Sequence, residues 1–161
     1  PADKILAMVK ELAHASGPTG MVLGQALDIQ ATGVCETSEY LKQLHTLKTG
    51  ALIRASLRLG AYCMNAGPKE RRALSTYGDA VGLCFQVVDD ILDVTTDSTT
   101  LGKTAGKDEH ADKLTYVKLL GLEGAKAEAE SLCLQAKAAI ASLPNPHVLC
   151  ELADYIRDRA N

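Results

Sequence analysis

Between Phe85 and Asp93 the chain reads FQVVDDILD, three carboxylates within five positions of an otherwise apolar run. At about 100° per residue, Gln86, Asp89, Asp90 and Asp93 fall in one helical stripe roughly 100° wide, and Phe85, Val87, Val88, Ile91, Leu92 and Val94 fill the other faces. A polar seam inside an apolar body is the pattern of a helix that lines a cavity. No Lys or Arg lies between Phe85 and Asp97, so these acids lack a basic neighbour three or four positions away. Two carboxylates about 6 Å apart repel by roughly 3 kcal/mol at an effective dielectric of about 20. Positive charge must therefore come from elsewhere, either as a divalent cation or as a lysine brought in by the fold. The plainer alternative is a solvated acidic face at a helix end, and the apolar flanks weigh against it.

Three other stretches bear on that charge. In LHTLKTGALIRASLRLGAYC, Lys48 heads an apolar stripe of Leu52, Ala55, Leu59 and Tyr62, while Arg54 and Arg58 lie on a different face. Such a lysine either snorkels to water or points its ammonium into the space the acidic seam faces. In GMVLGQALDI, Gln25 and Asp28 stand three apart on a helix crowded with small residues. Gly20 and Gly24 would let another helix approach closely there, and Gln25 with Asp28 is equally readable as a structural hydrogen-bond pair. After the seam, TTDSTTLGKTAGKDEHADKLTY carries Lys103, Lys107 and Lys113, so connectivity alone keeps cations near the carboxylates. That segment reads either as a lid for an anionic ligand or as a solvated linker.

The elements that must position these residues read as helices throughout, with no useful strand alternation. The periodicity predicts helices over 2–15, 19–30, 38–48, 49–63 and 69–94, an irregular stretch over 95–116, then helices over 122–143 and 146–159. Ser38 opens the third, Asn65-Ala66-Gly67-Pro68 stops the fourth, and Pro144-Asn145-Pro146 divides the last two. With 161 residues the chain is long enough for one unit with a real core. Only 4% of residues are aromatic against 47% apolar, so that core must be Ala, Leu, Val and Ile, which favours helix on helix. Net charge is −3, with no basic surplus to suggest nucleic acid.

No uncharged stretch is long enough for a bilayer, the longest ending at Asp28, and no signal peptide is read. The five cysteines are odd in number and scattered, which predicts buried free thiols in a reducing, cytoplasmic setting. The four histidines show no ligand spacing, so no zinc site is expected. Opening at Pro1 straight into helix-like sequence, the chain reads as cut from something longer.

GQALD at 24–28, HTLKTGALI at 45–53, FQVVDDILD at 85–93, LGKTAGKD at 101–108 and DKLTY at 112–116 together resemble the carboxyl-terminal half of the trans-isoprenyl diphosphate synthases, of the bacterial farnesyl diphosphate synthase type. ELADYIRDR at 151–159 is similar to that family's last helix, so the resemblance spans essentially the whole chain. It implies an all-α fold, usually homodimeric, with two aspartate-rich motifs facing each other across a cavity. FQVVDDILD resembles the second of them, which implies that Asp89, Asp90 and Asp93 face Mg²⁺, with Asp89 the first direct ligand. The same resemblance implies that Lys48 and Lys103 contact an allylic diphosphate and that Thr49 and Gln86 line the allylic pocket. Lys113 would belong to a closing loop, and Gln25 and Asp28 would support the wall. The implied chemistry condenses the allylic diphosphate with isopentenyl diphosphate.

The departures are specific. The chain has no second DDxxD and no adjacent arginine pair, since Arg71-Arg72 sits at the polar start of a helix. Leu114 stands where the family often has a small polar residue. The expectation is therefore half of a metal site, completed by a missing amino-terminal half and inactive alone. The competing reading is a non-catalytic helical partner subunit or binding module.

Overall fold

The computed structural model describes residues 1–31, 37–100 and 114–159, with 96–100 described in backbone only. Among the described residues every regular element is helical: α1 (Ala2–Ser16), α2 (Met21–Gln30), α3 (Ser38–His45), a π-helical turn (Thr46–Gly50), α4 (Ala51–Cys63), α5 (Pro68–Thr100), α6 (Tyr116–Ile140) and α7 (His147–Asp158). The all-α expectation holds. None of these helices is long and apolar enough to cross a membrane.

Around α5 the rest is arranged. At 33 residues it is about 50 Å long, and its Tyr77, Val87, Val88 and Ile91 are fully buried. Against it lies α6, which presents Ala125, Ala129, Cys133, Ala136 and Ile140 at helical spacing, all 3% exposed or less. Small side chains on that face bring the two axes close, so apolar area is buried without aromatic bulk. Tyr77 donates to the Leu149 carbonyl at 2.6 Å, fastening α7 to the same core. On the other side of α5, α4 carries Ala51 and Ala55 into a smaller cluster with Ala15 of α1.

Turn chemistry sets the boundaries. Asn65 and Asn145 adopt φ of 54° and 55°, the left-handed conformation that asparagine tolerates, at the two stops the sequence marks. The cap of α3 is Thr37, whose side chain accepts from the Tyr40 N–H at 3.2 Å, one residue ahead of the expected Ser38.

Other boundaries move further. The acidic helix, expected to end at Val94, runs to Thr100, with the Thr95 hydroxyl satisfied inside it by the Ile91 carbonyl at 2.9 Å. Helix α6 starts at Tyr116 rather than Leu122, capped by Thr115, and breaks at Gly121, whose φ of 72° and ψ of 168° only glycine adopts easily. At Thr49, which the sequence leaves free to start or continue a helix, the run is continuous, with a π turn inside it.

Among the four described cysteines all are free, but Cys63 is exposed at the end of α4 rather than buried. Cys35 lies outside the described residues. Ile5, Leu6, Val9 and Leu12 of α1, with Val22, Leu23 and Ile29 of α2, are exposed apolar side chains, in contrast to the filled α5–α6 layer.

Candidate active site

The π turn TLKTG is clamped from two sides. A Cβ on Gly24 of α2 would come within 2.3 Å of the Lys48 nitrogen, and one on Gly82 of α5 within 2.8 Å of the Gly50 Cα. Only glycine permits backbones this close, so α2 and α5 both press on the turn. The close approach anticipated for Gly24 is thus realised, with a turn as the partner rather than a straight helix. π turns inserted into α-helices occur frequently at functional sites, because the extra residue re-aims side chains. Here it presents Lys48 and Thr49, both half-buried.

Lys48 donates to Asp28 Oδ2 at 2.8 Å, joining the π turn to α2. Asp28 therefore holds the lysine's ammonium in place. Gln25 does not share in it: its side chain is exposed, and the Gln25–Asp28 pair that the spacing allows is replaced by the ion pair. The geometric reason is that Gly24 brings the Lys48 backbone over this part of α2, which places Asp28, not Gln25, beneath the ammonium.

The acidic seam divides. Asp89 is half-buried and receives Arg159 Nη2 on Oδ1 at 3.1 Å and, more loosely, Gln86 Nε2 on Oδ2 at 3.4 Å. Arg159 also lies over the Phe85 ring, its guanidinium carbon 4.5 Å from the centroid. Asp90, expected to face a metal with the others, turns inward; it is 9% exposed and accepts the Tyr116 N–H at 2.7 Å, capping the first turn of α6. One residue along a helix is about 100° of rotation, enough to carry Asp90 off the open face that Asp89 and Asp93 share at i and i+4. Asp93 is exposed and makes no hydrogen bond or ion pair with a described residue.

These carboxylates are short of positive charge. Burial pushes the Asp90 carboxyl up to about 6, opposed by the Tyr116 N–H and reinforced by Asp93 and Asp89. Burial also raises Asp89, while Arg159 pulls it down and Asp93 pushes it up again. The cation that does arrive is an arginine from the far end of the chain, 70 residues away, which no local sequence pattern singles out. Lys103 and Lys113, expected to supply charge from the following segment, lie outside the described residues.

His45 is the second residue that sequence reasoning misses, although it opens the HTLKTGALI stretch. It ends α3 directly before the π turn, is 8% exposed, and stacks on Tyr116 with ring centroids 5.9 Å apart. Its Nε2 lies 4.0 Å from Asp90 Oδ2. Burial drives its pKa down to about 4; Gln86 and Asp28 favour the charged ring, and Lys48 opposes it. Gln86 approaches the imidazole, yet neither ring nitrogen makes a hydrogen bond of ordinary distance and angle. An unpartnered buried nitrogen costs about 1–3 kcal/mol.

The structure thus brings Asp28, His45, Lys48, Gln86, Asp89 and Asp90 into one neighbourhood. Among the described residues no three His, Cys, Asp or Glu side chains converge to hold a metal unaided. What the site offers is two hard oxygen donors on one helix face, Asp89 and Asp93, with a third acid behind them and cations nearby. That set fits Mg²⁺, which prefers one or two carboxylates with the remaining positions filled by water and a substrate's phosphate oxygens.

Residues 3–143 match the family model for polyprenyl synthetase. Among curated relatives, the chain is 47% identical to the farnesyl diphosphate synthase of Escherichia coli K12, covering 96% of this chain and 53% of that protein. It is 46% identical to a chloroplastic geranylgeranyl pyrophosphate synthase of Capsicum annuum, covering 99% of this chain and 44% of that one. Among solved structures it is similar to a geranyltransferase from Helicobacter pylori complexed with magnesium and isoprenyl diphosphate, at a TM-score of 0.77 and 36% identity, over 98% of this chain and 52% of that one. The chain spans about half the length of the relatives it matches. A helical layer around α5, an acid pair on its open face, and a family match over most of the sequence agree: the chain belongs to the polyprenyl synthetase family.

Proposed function

We propose that this chain forms one wall of a short-chain trans-prenyltransferase that condenses an allylic diphosphate with isopentenyl diphosphate, in the manner of farnesyl or geranyl diphosphate synthases. The observation that carries the reading is the under-compensated acid pair on the open face of α5 beside a glycine-clamped π turn that presents a lysine. Asp89 and Asp93 hold Mg²⁺, and Asp90 adds its charge from the inner wall. The magnesium ion supplies neutralisation of the leaving diphosphate's charge.

Lys48 binds the allylic diphosphate while Asp28 keeps its side chain from collapsing elsewhere, and Thr49 and Gln86 border the reacting end. Lys103 and Lys113 act from the following segment, and Gln25 borders the outer wall. The allylic carbon–oxygen bond breaks, the isopentenyl double bond attacks that carbon, and a proton leaves to the departing diphosphate. No side-chain nucleophile is required; the residues position and stabilise charge.

The rest of the cavity comes from residues outside this chain, including a first aspartate-rich motif, and the exposed apolar faces of α1 and α2 are where that half or a second subunit packs. The working enzyme is a cytoplasmic homodimer. Alone, the chain is inactive, and a prenyl-transfer assay with both diphosphates and Mg²⁺ tests this: steady turnover by the 161 residues would overturn the division of the site. In the complete protein, Lys48→Ala is expected to raise the KM for the allylic substrate about tenfold or more, the cost of a lost charged contact. An unchanged KM would remove Lys48 from the site.

The alternative, a non-catalytic partner subunit, finds support in the Asp89–Arg159 pair, which satisfies one acid without a metal. Native mass measurement separates the two: a longer single chain supports the enzyme, and a 161-residue species inside a mixed complex supports the subunit.

A further inference from the structure

We propose that His45 is a positioning residue that latches the lysine-bearing π turn to the acidic helix through Asp90. The inference rests on the function proposed above and adds to it a residue that touches neither substrate nor metal.

Three observations place the latch. His45 is the last residue before the turn that carries Lys48 and Thr49, so its ring sets where that turn begins. Its Nε2 faces Asp90 Oδ2 at 4.0 Å, and the same oxygen already takes the Tyr116 N–H at 2.7 Å. Its ring stacks on Tyr116. One imidazole therefore meets the end of α3, the acidic face of α5 and the first turn of α6. Both ring nitrogens are sealed from water and, although Gln86 approaches the ring, neither makes a hydrogen bond of ordinary distance and angle, where an apolar side chain would fill the same space at lower cost.

The gap explains the arrangement. A shift of about 1 Å brings Nε2 and Oδ2 to hydrogen-bond distance. With the bond closed, the cationic turn and the acidic helix hold a fixed separation. That separation determines whether one diphosphate can meet Lys48 and the acid-bound cation together. The latch thus acts on the allylic site and leaves isopentenyl diphosphate binding alone.

The test compares His45→Gln with His45→Phe in the complete enzyme. Gln carries an N–H at the reach of Nε2; Phe keeps the ring and its stacking on Tyr116 but has no donor. Expected is a Phe variant that stays folded, binds inorganic diphosphate with Mg²⁺ about tenfold more weakly by calorimetry, and shows a raised allylic KM with an unchanged isopentenyl KM. About tenfold corresponds to the net worth of one hydrogen bond. The Gln variant recovers most of that loss. Should Phe fail to fold, His45→Asn takes its place, since its shorter amide cannot reach Asp90 and should lose what Gln keeps.

If Phe equals or outperforms Gln, the ring serves packing alone and the latch is wrong. Losses that fall equally on both substrates and follow the folded fraction overturn it too. A wild-type enzyme that neither binds Mg²⁺-diphosphate nor turns over removes the functional reading itself, and the latch with it, an outcome distinguishable from the others because it appears before any substitution.

Discussion

Two stretches of α5 are built on opposite terms. From Tyr77 to Cys84 the helix is sealed against α6 and α7, with its buried side chains apolar and its one buried hydroxyl donated to the Leu149 carbonyl. From Gln86 to Asp93 the same helix carries acids whose partners are incomplete: a long Gln86 contact, an arginine borrowed from the end of the chain, a backbone N–H, and for Asp93 nothing among the described residues. The first region is stable because every group is satisfied. The second is poised because some are not, and the function proposed above, in which this face accepts a divalent cation with a diphosphate, needs that deficit. On that proposal, stability and function are separated along one helix.

The largest effect is expected at Asp89. Asp89→Ala in the complete enzyme should lower kcat about a thousandfold, within the range seen when one transition-state charge contact is removed, with the melting temperature nearly unchanged. A thousandfold loss accompanied by unfolding would mean that the acid end is structural after all. Leu83→Ala tests the other side. This residue is buried at 4% exposure, so about 2–5 kcal/mol of stability should go, measured by urea denaturation, while the KM values of the folded fraction stay put.

A sharper test uses pH, because the two buried titratable groups at the junction act in opposite senses. The Asp90 carboxyl is raised to about 6 in the folded protein, so the native state holds its proton longer than the unfolded chain does. Asp90 therefore makes stability fall as pH rises from about 4 to about 6, by roughly 3 kcal/mol when converted at about 1.4 kcal/mol per unit. His45 is lowered to about 4, so the unfolded chain takes up its proton first. Its contribution is lost as pH drops from about 6.5 to about 4, by a similar amount. The two nearly cancel across that window. Denaturant titrations should show Asp90→Asn gaining stability steadily from about pH 4 to about 6.5, and His45→Gln losing it over the same range. Parallel pH profiles in both variants would show that the junction is wetter than its geometry indicates.

The smallest effect is expected at Arg159. Its pair with Asp89 is about a third exposed on both sides, and such pairs contribute about 0.2–1 kcal/mol. Arg159→Gln should change stability by less than about 1 kcal/mol in the same assay. A larger loss would make the arginine part of the frame rather than a provisional partner for the acid.

Features that depend on near neighbours along the chain are legible in the amino-acid sequence. Helical periodicity places α1, α4, α7 and the start of α5 to within a few residues, and the Asn65 and Asn145 turns fall where Pro and Gly mark them. The apolar flanks of FQVVDDILD announce a helix buried on one side. Gly24 permits a close approach, which the structure realises, whereas Gly60 within α4 meets nothing. The boundaries that slip, at Thr100 and Tyr116, are those where a hydroxyl bonds back to its own helix or a distant carboxylate supplies the cap.

The site divides in the same way. That Asp89, Asp90 and Asp93 need a cation follows from sequence alone, since no base lies within helical reach of them. Which cation arrives, and on which oxygen, does not follow. Arg159 reaches Asp89 across 70 residues, Tyr116 reaches Asp90 across 26, and Lys48 reaches Asp28 across 20. His45 acquires its neighbours Asp90 and Tyr116 only because α3, α5 and α6 converge on it. Periodicity fixes which way a side chain leaves its own helix. The partner it meets depends on how helices cross, and those crossings are decided by packing among residues far apart in the chain.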